Sequence, residues 1–418
     1  MKVLIIGGGA SGMMAALSAL ENPDNSVTLL ERQSRVGKKL LATGNGRCNL
    51  TNRNIRLTHY HGQQPEFARF ALESFYVGRT LAFFERLGLL TVTEDSGKVY
   101  PLSDQASSVL DVLRFALDAR GANVVTSCDV IEVKHKARGY EALCATGEKY
   151  FGDKLIIACG GAAGKKLGGS KSGYHLLSQL GHSCTELLPS LTQIKTDPAY
   201  VKALKGVRAD AHVRLRKDGQ TVQDSFGEVQ FTDYGLSGIC IMQLSGHLAP
   251  GRGPKRPAVE LDLFPMLDET ALTALFAARV PLLPGKAPAD FWTGLLNPKL
   301  GRALWAAAKL PEKPVDTLPD AAWQVLANAA KHWLFEGLTP CGWKQAQTTG
   351  GGLSLTEVTP SFQFKGCPGL YFVGETLDCA GSCGGFNLHW AFGSGIAAGR
   401  DAVRSLKRPA PKPNKKKR

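Results

Sequence analysis

Four short stretches carry residues of the type and spacing needed for chemistry on a bound nucleotide. The first is Gly7-x-Gly9-x-x-Gly12, which follows the apolar run Val3-Leu4-Ile5-Ile6 directly. Glu31 lies about 20 residues further on, at the end of a second apolar run, Val27 to Leu30. Gly7 permits a sharp turn, Gly9 lets backbone come up against a pyrophosphate, and Gly12 lets helix and strand pack closely. The N–H groups of Ala10, Ser11 and Gly12 open the helix that follows, and its positive dipole end attracts phosphate. Glu31 accepts hydrogen bonds from a ribose diol, with Arg32 beside it, and would repel a 2′-phosphate there. A glycine-rich βαβ turn without ligand is the plainer alternative. The full context of strand, turn, helix, strand and acid favours a dinucleotide site.

The second stretch follows a basic segment that includes Lys39. It is the loop Gly44-Asn45-Gly46-Arg47-Cys48-Asn49-Leu50-Thr51-Asn52, too rich in Gly and Asn for regular structure. Coming straight after the nucleotide-binding unit, it is expected to lie along the cofactor. Arg47 suits a phosphate contact or a structural ion pair, and Cys48 is either an acid or a buried filler. The third stretch, Ala158-x-Gly160-Gly161, ends a buried strand that returns the chain to the main sheet. The fourth begins at Gly374-Glu375, continues through Asp378, and reaches the turn Gly384-Gly385-Phe386-Asn387. That turn opens a helix over 388–404, whose N-terminus would stabilise negative charge. Cys383 and His389 flank it.

These stretches need elements to hold them. The periodicity predicts one or two amphipathic helices over 67–87, a helix over 109–117, and antiparallel strands over 130–134 and 140–145, Val130 heading the first. Short strands dominate 190–265, and 266–333 reads as helical with four Trp in its core. Small residues at Ala391, Gly395 and Gly399 predict close packing of the last helix on the first. The 418 residues exceed one ordinary core. The expected organisation is a discontinuous nucleotide-binding domain over 1–189 and 345–406, a β-rich domain over 190–265 and 334–344, a helical insertion over 266–333, and a basic tail over 407–418. Neither a signal peptide nor an apolar run of about 20 residues stands out, so no membrane partner and a cytoplasmic location are expected. Ten cysteines without a C-x-x-C pair read as reduced thiols, with no metal site. A monomer is the expected state.

Together these pieces resemble the YhiN/BaiN-type flavoproteins, with two dinucleotide-binding folds. The resemblance rests on the Arg-Cys-Asn loop, on Phe231-Thr232-Asp233-Tyr234-Gly235-Leu236-Ser237-Gly238, and on Gly369 to Asp378, and covers all but the tail. It implies an α/β fold in which a Rossmann-like, glutathione-reductase-type FAD-binding domain is interrupted by a β-rich substrate domain and a helical insertion. It also implies extended FAD and reduction of a C=C bond conjugated to a carbonyl, with NAD(P)H as transient reductant. Phe386 stands where family members often carry Tyr.

Two substrate classes follow from the resemblance: a uridine of large-subunit ribosomal RNA, giving dihydrouridine, or a steroid-like enone. Charge favours RNA. The net charge is +14, of which seven positive charges lie in 407–418, leaving +7 on the remainder. Further basic clusters stand at Lys202-Lys205-Arg208, Arg214-Arg216-Lys217 and Arg252-Lys255-Arg256, so ribosomal RNA is the expected partner. The reaction needs an acid at the α-carbon, and Cys48, Cys383 and His389 are the candidates. An oxidase or hydroxylase, and a non-enzymatic RNA-binding protein, are the remaining classes.

Overall fold

The computed structural model describes residues 1–248 and 256–404. The chain forms two compact units. One comprises Met1–Gly161, Lys166–Thr185 and the chain from Gly351; the other comprises Ala162–Lys165 and Glu186–Gly350.

The first unit is built on β1 (Lys2–Ile6), α1 (Ala10–Ala19), β2 (Ser26–Leu30), β3 (Asn123–Val125), β4 (Lys154–Ile157), β5 (Leu370–Phe372) and α2 (Phe386–Ala402). The five strands form one parallel sheet in the order β5-β4-β1-β2-β3. Apart from the exposed edge strand β3, they are largely buried and read as near-continuous apolar runs, as parallel strands do. Register pairs Ile6 with Leu30 on one side and with Ile157 on the other, so the three strand ends finish level. That places the glycine turn, Glu31 and Ala158 at one edge. The last helix packs on the first as its small residues predict. A Cβ on Gly395 would strike the Ser11 carbonyl oxygen, and one on Gly399 would strike Ser18 Oγ.

An antiparallel layer of Val130–Lys136, Gly139–Cys144 and Lys149–Gly152 completes this unit. It corrects the expectation of reduced thiols, because Cys128 and Cys144 are joined in a disulfide with Cα atoms 5.7 Å apart. Strand register, invisible in cysteine spacing, is the cause: Val130 pairs with Cys144 and brings Cys128 across from it.

The second unit carries a seven-stranded sheet, including Arg208–Lys217, Gln220–Phe231 and Pro257–Asp262. Helices Glu269–Arg279, Pro298–Ala307 and Ala321–Lys331 start at polar or proline signals: Asp268 accepts from the Ala271 N–H, and Asn297 from the Lys299 N–H ahead of Pro298. Segment 266–333 differs here from the separate insertion expected of it. Its Phe276, Phe291, Trp292, Trp305 and Trp323 share one core with Val213, Leu215, Val259 and Leu261 of the sheet. An amphipathic helix must bury its apolar stripe, and the adjacent sheet face takes it.

Candidate functional site

The nucleotide fingerprint is assembled as a receiving surface. Gly9 is the N-cap of α1 in extended conformation and makes no side-chain cap hydrogen bond. A Cβ placed on it would meet nothing within 4 Å. The space in front of the helix N-terminus is therefore open. Glu31 is fixed by two backbone donors, the Gly8 N–H on Oε2 and the Gln33 N–H on Oε1, each at 2.7 Å. Arg32 turns its guanidinium to the Gly168 carbonyl at 2.7 Å. Val130 is buried at the head of its strand.

Three distant segments meet beside this surface. Lys39 Nζ pairs with Glu375 Oε2 at 2.8 Å, and the same oxygen accepts the Gly161 N–H at 3.3 Å. Tyr174, which sequence reasoning did not single out, donates its hydroxyl proton to the Glu375 carbonyl at 3.0 Å. Gly374 is held by Ser394 and Trp390 of α2. Gly160 bends the chain through a left-handed φ of 71° after Ala158, whose N–H donates to Ile6.

The loop of residues 44–52 backs the glycine-rich turn. Gly44, Asn45, Gly46 and Cys48 all have positive φ, a left-handed run that folds the loop on itself. Arg47 is committed elsewhere: it pairs with Glu94 at 3.0 Å and with Asp104, and stacks on Tyr100 at 3.9 Å. Of its two readings, the structural ion pair is the one present. Cys48 is completely enclosed, and burial pushes its thiol up to about 12. A thiol with no exposed surface is not placed to meet a substrate. The geometry thus favours the structural reading of Cys48. Cys48→Ala is expected to retain FAD and slow turnover by less than about threefold, well short of the 10²-fold or more of a lost general acid. Steady-state rates on the purified variant decide it.

His389 is likewise buried. Its Nδ1 lies 2.8 Å from Thr51 Oγ1, and burial lowers the imidazole to about 4, leaving it neutral at pH 7. It ties α2 to the loop and faces no solvent. Gly385 is required as glycine, with φ of 95°; a Cβ there would sit 2.6 Å from the Thr51 carbonyl oxygen and 2.8 Å from Asn49 Oδ1. Asn49 Oδ1 is itself buried without a hydrogen-bond partner among the described residues. An orphaned acceptor beside an uncapped 17-residue helix N-terminus suits a ligand edge offering both N–H and carbonyl groups. Asp378 is buried too, one oxygen accepting the Gln63 N–H at 3.2 Å and the other without a hydrogen-bond partner among the described residues.

Asn387 closes the turn, bonding the Gly381 N–H and the carbonyls of Gly381 and Ser382. Phe386 is buried under the ring of His59 at 4.2 Å. Cys383 is half-buried, and burial raises its thiol pKa. His59 and His61 are the neighbours that sequence reasoning missed. The signal available was the pair of imidazoles in His59-Tyr60-His61, the first ending a short helical turn and the second in the two-residue strand that follows.

FAD fits this donor set. The open helix N-terminus at Gly9, the fixed Glu31 carboxylate and the orphaned Asn49 acceptor match pyrophosphate, ribose and the pyrimidine edge of a flavin in turn. Among the described residues no cluster of three or more His, Cys, Asp or Glu is placed for a metal, and no helix is long and apolar enough to cross a membrane.

The expected cationic faces are corrected by pairing. Lys205 pairs with Asp233, Arg208 with Glu228, and Arg214 and Arg216 with the buried Glu260. The acids come from other strands or turns, so four cations of these clusters are paired within the fold, Arg214 and Arg216 sharing the one carboxylate of Glu260. Arg252 and Lys255, and the tail over 407–418, lie outside the described residues.

Comparison with known proteins agrees with the resemblance. The chain is 39% identical over 406 residues to a 3-dehydro-bile acid delta(4,6)-reductase of Clostridium scindens, covering 96% of this chain and 99% of that one. It is 26% identical to the ribosomal RNA dihydrouridine synthase of Escherichia coli, covering 96% and 97%. The corresponding synthase of Haemophilus influenzae is 25% identical, covering 94% and 96%. The family model described as HI0933-like protein Rossmann domain matches residues 1–401. With its fingerprint, its turn and its parallel sheet in that register, the chain belongs to the HI0933-like family and is an FAD-dependent oxidoreductase.

Proposed function

We propose that the protein reduces a C=C bond conjugated to a carbonyl in a small polycyclic enone of the 3-oxo bile-acid type, with NAD(P)H as the electron source. The observation that carries this reading is the 39% identity, spread over essentially both whole chains, to a reductase named for such a substrate. The pairing of Lys205, Arg208, Arg214 and Arg216 supports it, since those cations already have partners among three protein acids, Asp233, Glu228 and Glu260.

The chain's residues divide the work. The α1 N-terminus at Gly9 would take the pyrophosphate, Glu31 the adenosine ribose and the strand head at Val130 the adenine edge. Lys39, Gly161 and Glu375 would line the path toward the ring. The α2 N-terminus and Asn49 would hold the pyrimidine edge, favouring negative charge there. Bound FAD, once reduced, supplies the hydride that adds to the β-carbon of the enone. Cys48 and His389, both neutral and enclosed, keep water out from behind the turn.

A second reading, uridine in ribosomal RNA, is favoured by the two synthases matched over nearly their whole length and by the seven cations of the tail. Salt separates the two. Purified protein supplied with NADH or NADPH is expected to reduce a 3-oxo-4,6-diene bile acid at a rate insensitive to 50–200 mM salt (concentrations chosen to span about the range in which phosphate contacts weaken). The same protein is expected to form no dihydrouridine in transcribed 23S RNA. Dihydrouridine formation that collapses with salt, and no enone reduction, reverses the assignment.

A further inference from the structure

We propose that the hydroxyl of Ser382, backed by the imidazole of His61, delivers the proton that completes reduction of the conjugated C=C bond. This rests on the reading of the protein as an ene-reductase. Enclosure of Cys48 and His389 removes two of the three sequence candidates for that step, and the acid must come from an accessible group on the same turn.

Ser382 is such a group. It is half-buried, and the backbone on both sides of it is pinned. Its N–H donates to the His59 carbonyl at 2.8 Å, and its own carbonyl accepts from Asn387 Nδ2 at 3.2 Å. Asn387 also grips both backbone groups of Gly381, while Asn52 Nδ2 donates to the Gly384 carbonyl at 3.0 Å. What remains adjustable is the side chain, and Ser382 Oγ lies 3.1 Å from His61 Nε2. Strand register sets this contact, since Tyr60–His61 pairs antiparallel with Ala380–Gly381. The same short strand holds the far end of the turn, where the Tyr60 hydroxyl donates to the Phe386 carbonyl at 3.1 Å. Residues 59–61 therefore fix Ser382 against the start of α2, the helix end assigned to the flavin.

The proton balance is simple. Hydride addition at the β-carbon leaves an enolate that needs one proton at its α-carbon. Ser382 gives its hydroxyl proton to that carbon as His61 passes its Nε2 proton to Ser382 Oγ and takes up another from water at Nδ1. A C–H bond forms, the serine regains its O–H bond without becoming an alkoxide, and His61 ends neutral. Two electrons come with the hydride, ultimately from NAD(P)H, and the proton comes from water through the half-buried His61. Imidazole suits this relay because its two ring nitrogens let it hand on one proton while accepting another. The titratable groups around the pair are Asp378, which bonds Gln63 N–H, together with His59, Tyr60 and Cys383. Cys383 is the competing donor, its thiol kept protonated by burial.

The test uses FAD-loaded wild type, Ser382→Ala, Ser382→Thr, His61→Gln and Cys383→Ala in rapid mixing. One trace follows bleaching of the flavin by NAD(P)H; the other follows its recolouring by the enone. Ser382→Ala is expected to slow the limiting recolouring rate by roughly 10²-fold or more while leaving bleaching and the half-saturating enone concentration unchanged. Ser382→Thr, which keeps the hydroxyl, should recover most of that rate, and His61→Gln should fall between. Unchanged recolouring in Ser382→Ala overturns the proposal, as does equal loss in the alanine and threonine variants or a loss found only in Cys383→Ala. The wild-type trace reports on the substrate itself. A wild type recoloured by RNA uridine instead of enone overturns the substrate reading alone, and the same variants then judge the relay. A wild type recoloured by neither overturns both.

Discussion

Gly9→Val is expected to yield a folded, colourless protein, whereas Gly12→Val should fail to hold the fold of the first unit. The two glycines belong to one motif, yet the space around them differs completely. At Gly9 an added side chain meets no protein atom within 4 Å, and the backbone is extended rather than left-handed. Valine there costs the chain little and projects into the room reserved for pyrophosphate. At Gly12 an added Cβ would collide with the Gly7 carbonyl oxygen and press on Ala158. Backbone cannot yield as a flexible side chain can, so α1 would have to leave β1 and β4. Absorbance near the flavin maximum, far-UV circular dichroism and thermal melting of the two variants provide the check. A yellow Gly9→Val protein would show that the dinucleotide does not cross the α1 N-terminus. A Gly12→Val protein with unchanged melting would show that the close helix–strand approach is dispensable.

How much of this was legible in the sequence depends on the range of each interaction. The fingerprint was legible because every part of it is local: the strand ends, the turn and the helix start lie within residues 2–12, and Glu31 closes the next strand. The packing of α2 on α1 was legible too, since a stripe of small residues has few other uses. Arg47 was not. Its partners Glu94 and Asp104 lie 47 and 57 residues away, and nothing in the loop itself signals them. The basic clusters failed for the same reason. Arg214 and Arg216 look like a cationic stripe along one strand, but register sets them beside Glu260 of the next. Charge counted along a chain overstates the charge a folded surface presents.

The Arg-Cys-Asn loop shows a subtler limit. Its composition marked it as special, and the left-handed backbone at Gly44, Asn45, Gly46 and Cys48 agrees. Its composition left two readings each for Arg47 and Cys48, one functional and one structural. The loop turns its reactive-looking residues away, Arg47 to surface acids and Cys48 into the core, and presents Asn49, Thr51 and Asn52 to the turn at 384–385. The amides and backbone do the holding. Residue type suggested reactivity, whereas burial decides which groups can meet a ligand.

Toward acid, the largest expected effect on stability comes from His389. Burial lowers its folded-state pKa to about 4, against an ordinary value of 6.5, because a charged imidazole at that depth would lose its water. Between these two values the unfolded chain binds a proton that the folded chain refuses. Stability from this group is therefore fully present above about pH 6.5 and is lost as the pH falls through 4. The shift corresponds to roughly 3 kcal/mol at its limit. Around His389 stand the hydroxyls of Thr51 and Thr80 and the Phe75 backbone, whose hydrogen bond offsets only part of the cost of burying the charge. His389→Gln cannot titrate, and it should be less stable at pH 7 by about 1–2 kcal/mol for the disturbed Thr51 contact. On acidification its stability should fall less than that of the wild type, so that the two denaturation midpoints converge between pH 6.5 and 4. His59, His182 and His247 are also lowered by burial and contribute in the same direction, which is why the difference between the proteins, not the slope of either, is the measurement. Urea titrations at half-unit pH steps supply it. Midpoints that stay a constant distance apart down to pH 4 would mean that His389 takes up its proton without leaving its place against Thr51.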